Sequence, residues 1–289
     1  MSTSQAFLTE LPTPGQASTG NSSRRVDFWM LAGIAIAIAA TIAGVASTGV
    51  SPTYFFQPTG ALIVIGGTLG VTFITTPRVA LLHSLRRVGD LFLPARLNRQ
   101  DLIEEIVSYV RLVRVRGLMA IEPMLDQTSN RYLAESLLLA MDVNQRGELE
   151  TALANKLRLS ERQGEADAKV LEVAGGFAPT IGVLGTVVGL IDVLRQFSTV
   201  SSVAAGLGTA FVSTIYGLAL ANLVLLPAAH RIRARVAEAF EIQELIMEGT
   251  LCLFDRIHPS LVRQRLSCFV RDAESELPAG TQTQNAAAR

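Results

Sequence analysis

Two stretches carry oxygen atoms in a setting without charge. Residues 175–190 read GGFAPTIGVLGTVVGL, and residues 207–227 read LGTAFVSTIYGLALANLVLLP. In the first, Gly175, Pro179, Gly182, Thr186 and Gly189 recur at spacings of four, three, four and three, a rhythm that lines them up on one face of a helix. In the second, Ala210, Thr214, Gly217 and Ala221 do the same. A threonine hydroxyl donates one hydrogen bond and accepts others, and a proline inside a helix frees a backbone carbonyl. When the solvent is lipid, small and polar faces of this kind pack against other helices or line a cavity. The two faces therefore predict a polar path or a hinge. They are also too extensive to be buried within one four-helix chain, which predicts that copies of the chain pack side by side.

The elements that must position these residues are apolar helices. No charged residue occurs from Val173 to Ile191 or from Thr199 to Ala229, and each run can cross a hydrocarbon core of about 30 Å. A third charge-free stretch, Phe28 to Pro77, is too long for one crossing and divides at residues 47–60, where Gly49, Pro52, Pro58 and Gly60 mark a turn. This predicts helices at 28–47 and 59–76, forming a transmembrane hairpin over 28–77, with Trp29, Tyr54, Phe55 and Phe56 near the interfaces. Residues 1–25 read as a flexible tail rich in Ser, Thr, Gly and Pro. Residues 78–170 form a charged region with helices expected at Asp101–Leu125, 131–143 and 147–172, the first carrying an apolar stripe of Leu102, Ile106, Val110, Val113, Leu118 and Ile121. The 147–172 helix runs without a breaker into the channel-forming pair at 171–229 and should project from the membrane. Residues 230–273 read as an amphipathic helical segment with Val236, Phe240, Leu245 and Leu251 as its apolar positions, and 274–289 as a disordered tail. Arginines at 78, 86, 87, 96 and 99, and again at 231, 233 and 235, flank the spans on one side. The positive-inside rule puts that side, and both termini, in the cytoplasm.

Composition narrows the class. The chain has 289 residues, 49% of them hydrophobic, and a net charge of zero, which fits an integral membrane protein with soluble segments and gives no electrostatic case for nucleic acid. Cys252 and Cys268 are too few for a disulfide framework. His83, His230 and His258 match no metal-binding spacing. No lysine follows the glycine run at 182–189, which argues against a phosphate-binding loop.

None of the four spans contains Asp, Glu, Lys, Arg or His. A self-contained pump or transporter carries an intramembrane ionisable group as a rule. Two readings follow: a passive scaffold, or half of an ion path whose carboxylate belongs to a partner. The hydroxyls of Thr186 and Thr214 favour the second. The same hydroxyls can equally bond to their own helix backbone, and Pro179 can be a kink satisfied by neighbouring helices.

The four-span plan, the charged region between spans two and three, and the patterns GGxxPTxGxxGTxxGL and STxxGLxxAxxxxxP resemble the MotA/TolQ/ExbB proton channel family over roughly residues 28–265. The hairpin before the charged region resembles the MotA branch of flagellar motor stator subunits, which includes the sodium-type PomA; TolQ and ExbB relatives usually have a single span there. The resemblance implies an all-α, multi-pass inner-membrane protein that forms a homo-pentamer around a MotB-like single-span partner. That partner would bring the ion-binding aspartate and a peptidoglycan-binding domain, and the charged region at 99–170 would act on a FliG-like rotor switch protein. Pro179 and Pro227 match the family's prolines at the cytoplasmic ends of spans three and four, and imply conformational coupling. Thr214 matches the channel threonine. Thr186 stands where proton-type relatives have alanine and sodium-type relatives have threonine, which implies sodium or proton as the transported ion. In RLVRVRGLMAIE, residues 111–122, Arg114 and Glu122 match the rotor-contacting pair; by composition alone they are a solvated helix face. No cofactor and no enzymatic chemistry is implied. The alternatives are an ExbB- or TolQ-like energiser of outer-membrane processes and a non-conducting scaffold.

Overall fold

The structure is a computed structural model and describes residues 28–47, 49, 55–90, 98–195 and 200–275; the tail expected at 1–25 lies outside them, as does the tail expected at 274–289 except for residues 274 and 275, which end the last helix. The described residues are all-helical. In chain order they form α1 (Phe28–Ser47), α2 (Pro58–Thr75), α3 (Arg78–Asp90), α4 (Arg99–Arg116), a 3-10 segment (Leu118–Gln127), α5 (Arg131–Asp142), α6 (Arg146–Arg195), α7 (Val200–Ala219), a π-helical segment (Leu220–Leu225), α8 (Leu226–Phe254) and α9 (Pro259–Ser275).

Local chemistry sets the ends. Pro58 opens α2 at a position where its missing N–H costs nothing. Thr76, held extended by Pro77, closes it. The side chains of Asn98 and Asn130 cap α4 and α5, accepting from the amides of Gln100 at 3.1 Å and Tyr132 at 2.7 Å. Helix α4 stops at Gly117, whose φ of 83° is available to glycine without strain. The helix expected over Asp101–Leu125 is therefore two elements, because Gly117 turns the chain into the 3-10 segment. The segment expected at 230–273 is also divided, at residues 255–258 between α8 and α9. Helix α3 was not anticipated as an element.

Among the described residues, three helices are long and apolar enough to cross a membrane: Pro58–Thr75, Arg146–Arg195 and the run from Gly206 to Phe254. Helix α6 has 50 residues, so at 1.5 Å per residue it is about 75 Å long, well over twice a hydrocarbon core. The extra length lies in its first half and joins the charged elements. There a core forms from Leu102, Ile106, Val110 and Val113 of α4, Ile121, Leu133 and Leu137, Leu245 and Leu253 of α8, and Val262 and Leu266 of α9. The apolar stripe read along α4 is buried in it, as is Leu245. Leu251 packs instead with Ala140, Leu149 and Leu153, and Val236 packs with Ala168, Ala228 and Ile232.

The small-residue faces of α6 and α7 meet each other inside one chain. Gly175, Gly182, Gly189, Ala210, Gly217 and Ala221 are all buried. A β-carbon placed on Gly217 would lie 2.6 Å from the Ala178 carbonyl oxygen, and one on Gly189 would lie 2.7 Å from the Ala210 amide nitrogen. One chain therefore buries most, though not all, of these faces: two helices with glycine at matching levels approach backbone to backbone, while Pro179, Thr186 and Thr214 stay half-buried. Helix α2 packs on the same pair through its own glycines. A β-carbon on Gly60 would meet the Ser213 hydroxyl, and one on Gly67 would meet the Ile181 side chain. Tyr216 ties the start of α2 to α7, donating its hydroxyl hydrogen to the Phe55 carbonyl and accepting from the Gln57 amide at 3.3 Å.

Gly217→Ala forces a methyl against a carbonyl that belongs to a helix backbone and cannot move alone. It should destabilise the chain by about 1–3 kcal/mol. Gly176→Ala, where a β-carbon meets nothing within 4 Å, should be neutral or stabilise by up to about 1 kcal/mol. Thermal unfolding in detergent followed by circular dichroism compares the two; equal midpoints would contradict the contact.

Candidate functional site

The α6–α7 seam carries the only two threonines read as path-lining candidates, and the structure brings them together. Thr186 Oγ1 and Thr214 Oγ1 are 2.5 Å apart. Thr186 Oγ1 also lies 3.2 Å from the Gly182 carbonyl, its own helix, and 3.2 Å from the Ala210 carbonyl across the seam. Both side chains are half-buried. By the rise of a helix, Thr186 stands about 20 Å from Val173 and about 8 Å from Ile191 along the charge-free run, so the pair lies toward the end away from the arginines.

Each hydroxyl has one hydrogen, which makes the pair reversible. If Thr186 donates to a carbonyl, Thr214 donates to Thr186 and keeps its lone pairs for a cation or a donor. If Thr186 donates to Thr214, the Thr214 hydrogen is free for a carboxylate. The helix-backbone reading of Thr186 is also present, in its contact with Gly182, so the two readings are not exclusive. Among the described residues no group of His, Cys, Asp and Glu is arranged to hold a metal ion.

The prolines frame the other end of the seam. Pro179 sits half-buried within α6. Pro227 opens α8 just after the π-helical segment, where the Leu226 amide reaches back five residues to the Ala221 carbonyl. A wide turn of this kind accommodates a proline without a buried lost hydrogen bond. Leu226 lies against Gly175, since a β-carbon there would be 2.9 Å from its Cδ2, so both prolines fall within about a turn of one contact. Sequence reasoning missed the π-helical segment; Pro227 was the available signal.

Arg114 and Glu122 are exposed, on either side of the Gly117 corner, and neither forms an ion pair among the described residues. The structure does not bring them into contact with each other. The corner is held from behind: the Glu105 carboxylate of α4 accepts from the Ser129 amide at 3.1 Å, the Ser129 hydroxyl and the Tyr109 hydroxyl at 3.0 Å. Burial, with help from Glu105, pushes the Tyr109 phenol up. On α5, Glu135 bridges Lys156 and Arg131 at 2.6 and 2.7 Å, whose hydrogen bonds hold its carboxyl below the usual range. Burial first, and Glu135 second, push the Tyr132 phenol up to about 12, and its hydroxyl is buried without a hydrogen-bond partner. Cys252 is buried and Cys268 exposed, both free thiols; burial raises Cys252 above the usual thiol range.

Residues 124–244 match the MotA/TolQ/ExbB proton channel family. The chain is 27% identical over 250 residues to Motility protein A of Bacillus subtilis, covering 85% of this chain and 91% of that one. It is 25% identical over 248 residues to Chemotaxis protein PomA of Vibrio alginolyticus, covering 86% and 95%. Its fold matches a chain of the flagellar MotAB stator complex from Bacillus subtilis with a TM-score of 0.76 at 25% identity, covering 89% of this chain and 98% of that one. The resemblance to this channel family read from the span motifs holds. The relatives and the structure named above are of the MotA and PomA stator type, the branch that the hairpin before the charged region resembles.

Two outcomes test this geometry. Thr186→Val removes the seam hydroxyl at constant shape and should cost about 1–2 kcal/mol; Thr186→Val with Thr214→Val should cost little more than the single change, because the partners are coupled. Additive losses in detergent unfolding would show that the two hydroxyls do not interact. For Tyr132, the unfolded phenol ionises near pH 10 and the folded one near 12. Its contribution is therefore complete below pH 10 and lost as pH rises toward 12, by about 1–2 kcal/mol after allowing for partial exposure. Tyr132→Phe should flatten that slope, and an unchanged slope would assign it elsewhere.

Proposed function

We propose that this chain is a stator subunit of a flagellar motor, a multi-pass inner-membrane protein that conducts ions with a MotB-like partner and turns the flow into torque. The observation that carries the reading is the Thr186–Thr214 pair, held within helix runs free of ionisable groups, in a chain that matches stator proteins over most of its length. On this reading α1, α2, the second half of α6 and α7 make four spans, α1 and α2 forming the hairpin of the MotA branch. The charged elements and both termini lie in the cytoplasm, on the side where the arginines cluster. The chain forms a homo-pentamer around the partner, whose single span supplies the carboxylate that this chain lacks.

The physics follows from the site. An ion crossing 100 mV releases roughly 2.3 kcal/mol per charge, enough for a small conformational step. At the carboxylate, the reversible hydroxyl pair offers a hydrogen to the anion or an oxygen to a cation. A hard cation such as sodium takes oxygen ligands, so the second hydroxyl favours sodium over a proton. Pro179 and Pro227, close to the Gly175–Leu226 contact, are where movement of the seam passes to the stem of α6 and to α8. Arg114 and Glu122, exposed and without an ion pair among the described residues, are the charges that meet a FliG-like rotor. No covalent chemistry is involved.

Motility of a stator-deficient host that expresses this chain with its partner should depend on external sodium at fixed membrane potential, and Thr186→Ala should raise the sodium concentration needed. Sodium-independent motility overturns the choice of ion. An unchanged requirement in the variant removes Thr186 from the ion path. Charge reversal at Arg114 or Glu122 should reduce swimming partially without loss of assembly, since exposed pairs contribute about 1 kcal/mol or less. Unimpaired swimming in the double reversal removes the rotor contact. Absence of ion flux in the co-expressed complex would leave the scaffold reading.

A further inference from the structure

Helix α3 follows α2 after only Thr76 and Pro77. It has two unlike faces. One packs inward: the Arg87 guanidinium donates to Asp167 of α6 at 2.6 Å, Asp167 is only 4% exposed, and Val88 packs against the cluster of Ala168, Ala228, Ile232 and Val236. This contact fixes the helix's depth. Ala228 is the penultimate residue of the charge-free run that includes α7, and Asp167 stands six residues before Val173, where the charge-free run of α6 begins, about 9 Å along the helix. Helix α3 is therefore clamped at the edge of the apolar zone, in the layer that headgroups occupy beside a bilayer core.

The other face is apolar and cationic at once. Val79, Leu82 and Leu85 are 69%, 59% and 70% exposed, and Arg78 and Arg86 are exposed between them. No acidic residue occurs from Arg78 to Gly89, and Arg78 and Arg86 form no ion pair among the described residues. A face of this composition in water would be a liability. At a membrane surface it lets aliphatic side chains enter the acyl boundary while guanidinium groups meet phosphates. The face also continues the exposed apolar surface of α2, where Phe73 and Ile74 are its last large residues.

We propose that the outer face of α3 is a binding site for anionic phospholipid, with Val79, Leu82 and Leu85 inserted below the headgroups and Arg78 and Arg86 on the phosphates. This goes beyond the stator reading and rests on it only in placing α2 in the bilayer. Arg87 is kept off the lipid by Asp167, so the site selects lipid through two arginines while the third holds the helix to α6.

The test uses the full chain with Cys252→Ser and Cys268→Ser and a single polarity-sensitive label. Leu82→Cys is labelled in vesicles of phosphatidylcholine with phosphatidylglycerol at three to one, roughly a natural anionic fraction. Its emission should shift to the blue and be quenched by lipids with a nitroxide near the headgroup. A label at Leu62→Cys on α2 should be quenched by lipids with the nitroxide deep in the chain, and a label at Leu159→Cys on the stem of α6 by neither. Quenching at 62 without quenching at 82 overturns the proposal while leaving the membrane reading intact; loss at both sites defeats that reading first. A blue-shifted label at 82 in detergent that lipid nitroxides do not quench would mean that another copy of the chain covers the face, and overturns it too. Retention of phosphatidylglycerol over phosphatidylcholine by the unlabelled chain, read by native mass spectrometry, should fall about fivefold for Arg78→Gln and again for Arg86→Gln. Equal retention in the double variant removes the arginines from the site.

Discussion

The close approach of α6 and α7 is the constraint on which the rest depends. Glycines at 182, 189 and 217 let two backbones touch where any β-carbon would meet a main-chain atom. In lipid there is no hydrophobic drive between helices, so van der Waals contact and a few hydrogen bonds must hold the pair. The same closeness sets the distance between the two threonine hydroxyls. A wider seam would leave each threonine bonded to its own helix, and the pair would lose its reversibility. Packing and site are one arrangement, which is why the glycines and threonines interleave on a single face.

Outward from this seam, each element answers a different solvent. Helix α2 borrows the same device, glycine against α6 and α7, and leaves Leu62, Ile65, Leu69 and Phe73 exposed on its far side. Below the apolar zone, water restores the hydrophobic effect, and the packing changes character: Leu, Ile and Val from α4, α5, α8 and α9 build an ordinary core. Ion pairs such as Arg99 with Glu241 and Arg146 with Asp255 fasten its periphery.

Much of this was legible in the sequence, for physical reasons that differ by region. Charge-free runs mark apolar helices because a charge in lipid costs too much to be scattered there, and the actual α1, α2 and α6 follow them closely. The i, i+4 rhythm of Leu102, Ile106 and Val110 marked the buried stripe of α4. The continuity of α6 followed from the lack of a breaker between 147 and 172. What sequence could not show was pairing. The two small faces were seen, but not that they bury one another, since a face does not name its partner. Gly117 looked like one more helix residue because its positive φ is a property of the fold. Helix α3 was overlooked since its apolar and cationic residues share a face, a pattern that blurs the usual periodic signal. The π-helical segment left no trace except the proline after it. Of the candidate residues, Thr186 and Thr214 are brought together, whereas Arg114 and Glu122 are seen only as exposed charges.

The single 50-residue helix α6 has a further consequence, which is angular. A helix turns about 100° per residue, so the seam face and the buried face of Leu149, Leu153 and Leu157 are locked in phase along one rod. Adding or removing one residue in the stem would swing the lower face by about 100° relative to the apolar zone and point Leu149 and Leu153 away from Ala140 and Leu251. Substitutions in the stem are absorbed locally, but a change of length is felt at both ends. The chain's spacing between its apolar zone and its charged helical core is thus fixed to the residue, as the tooth count fixes the timing of a gear.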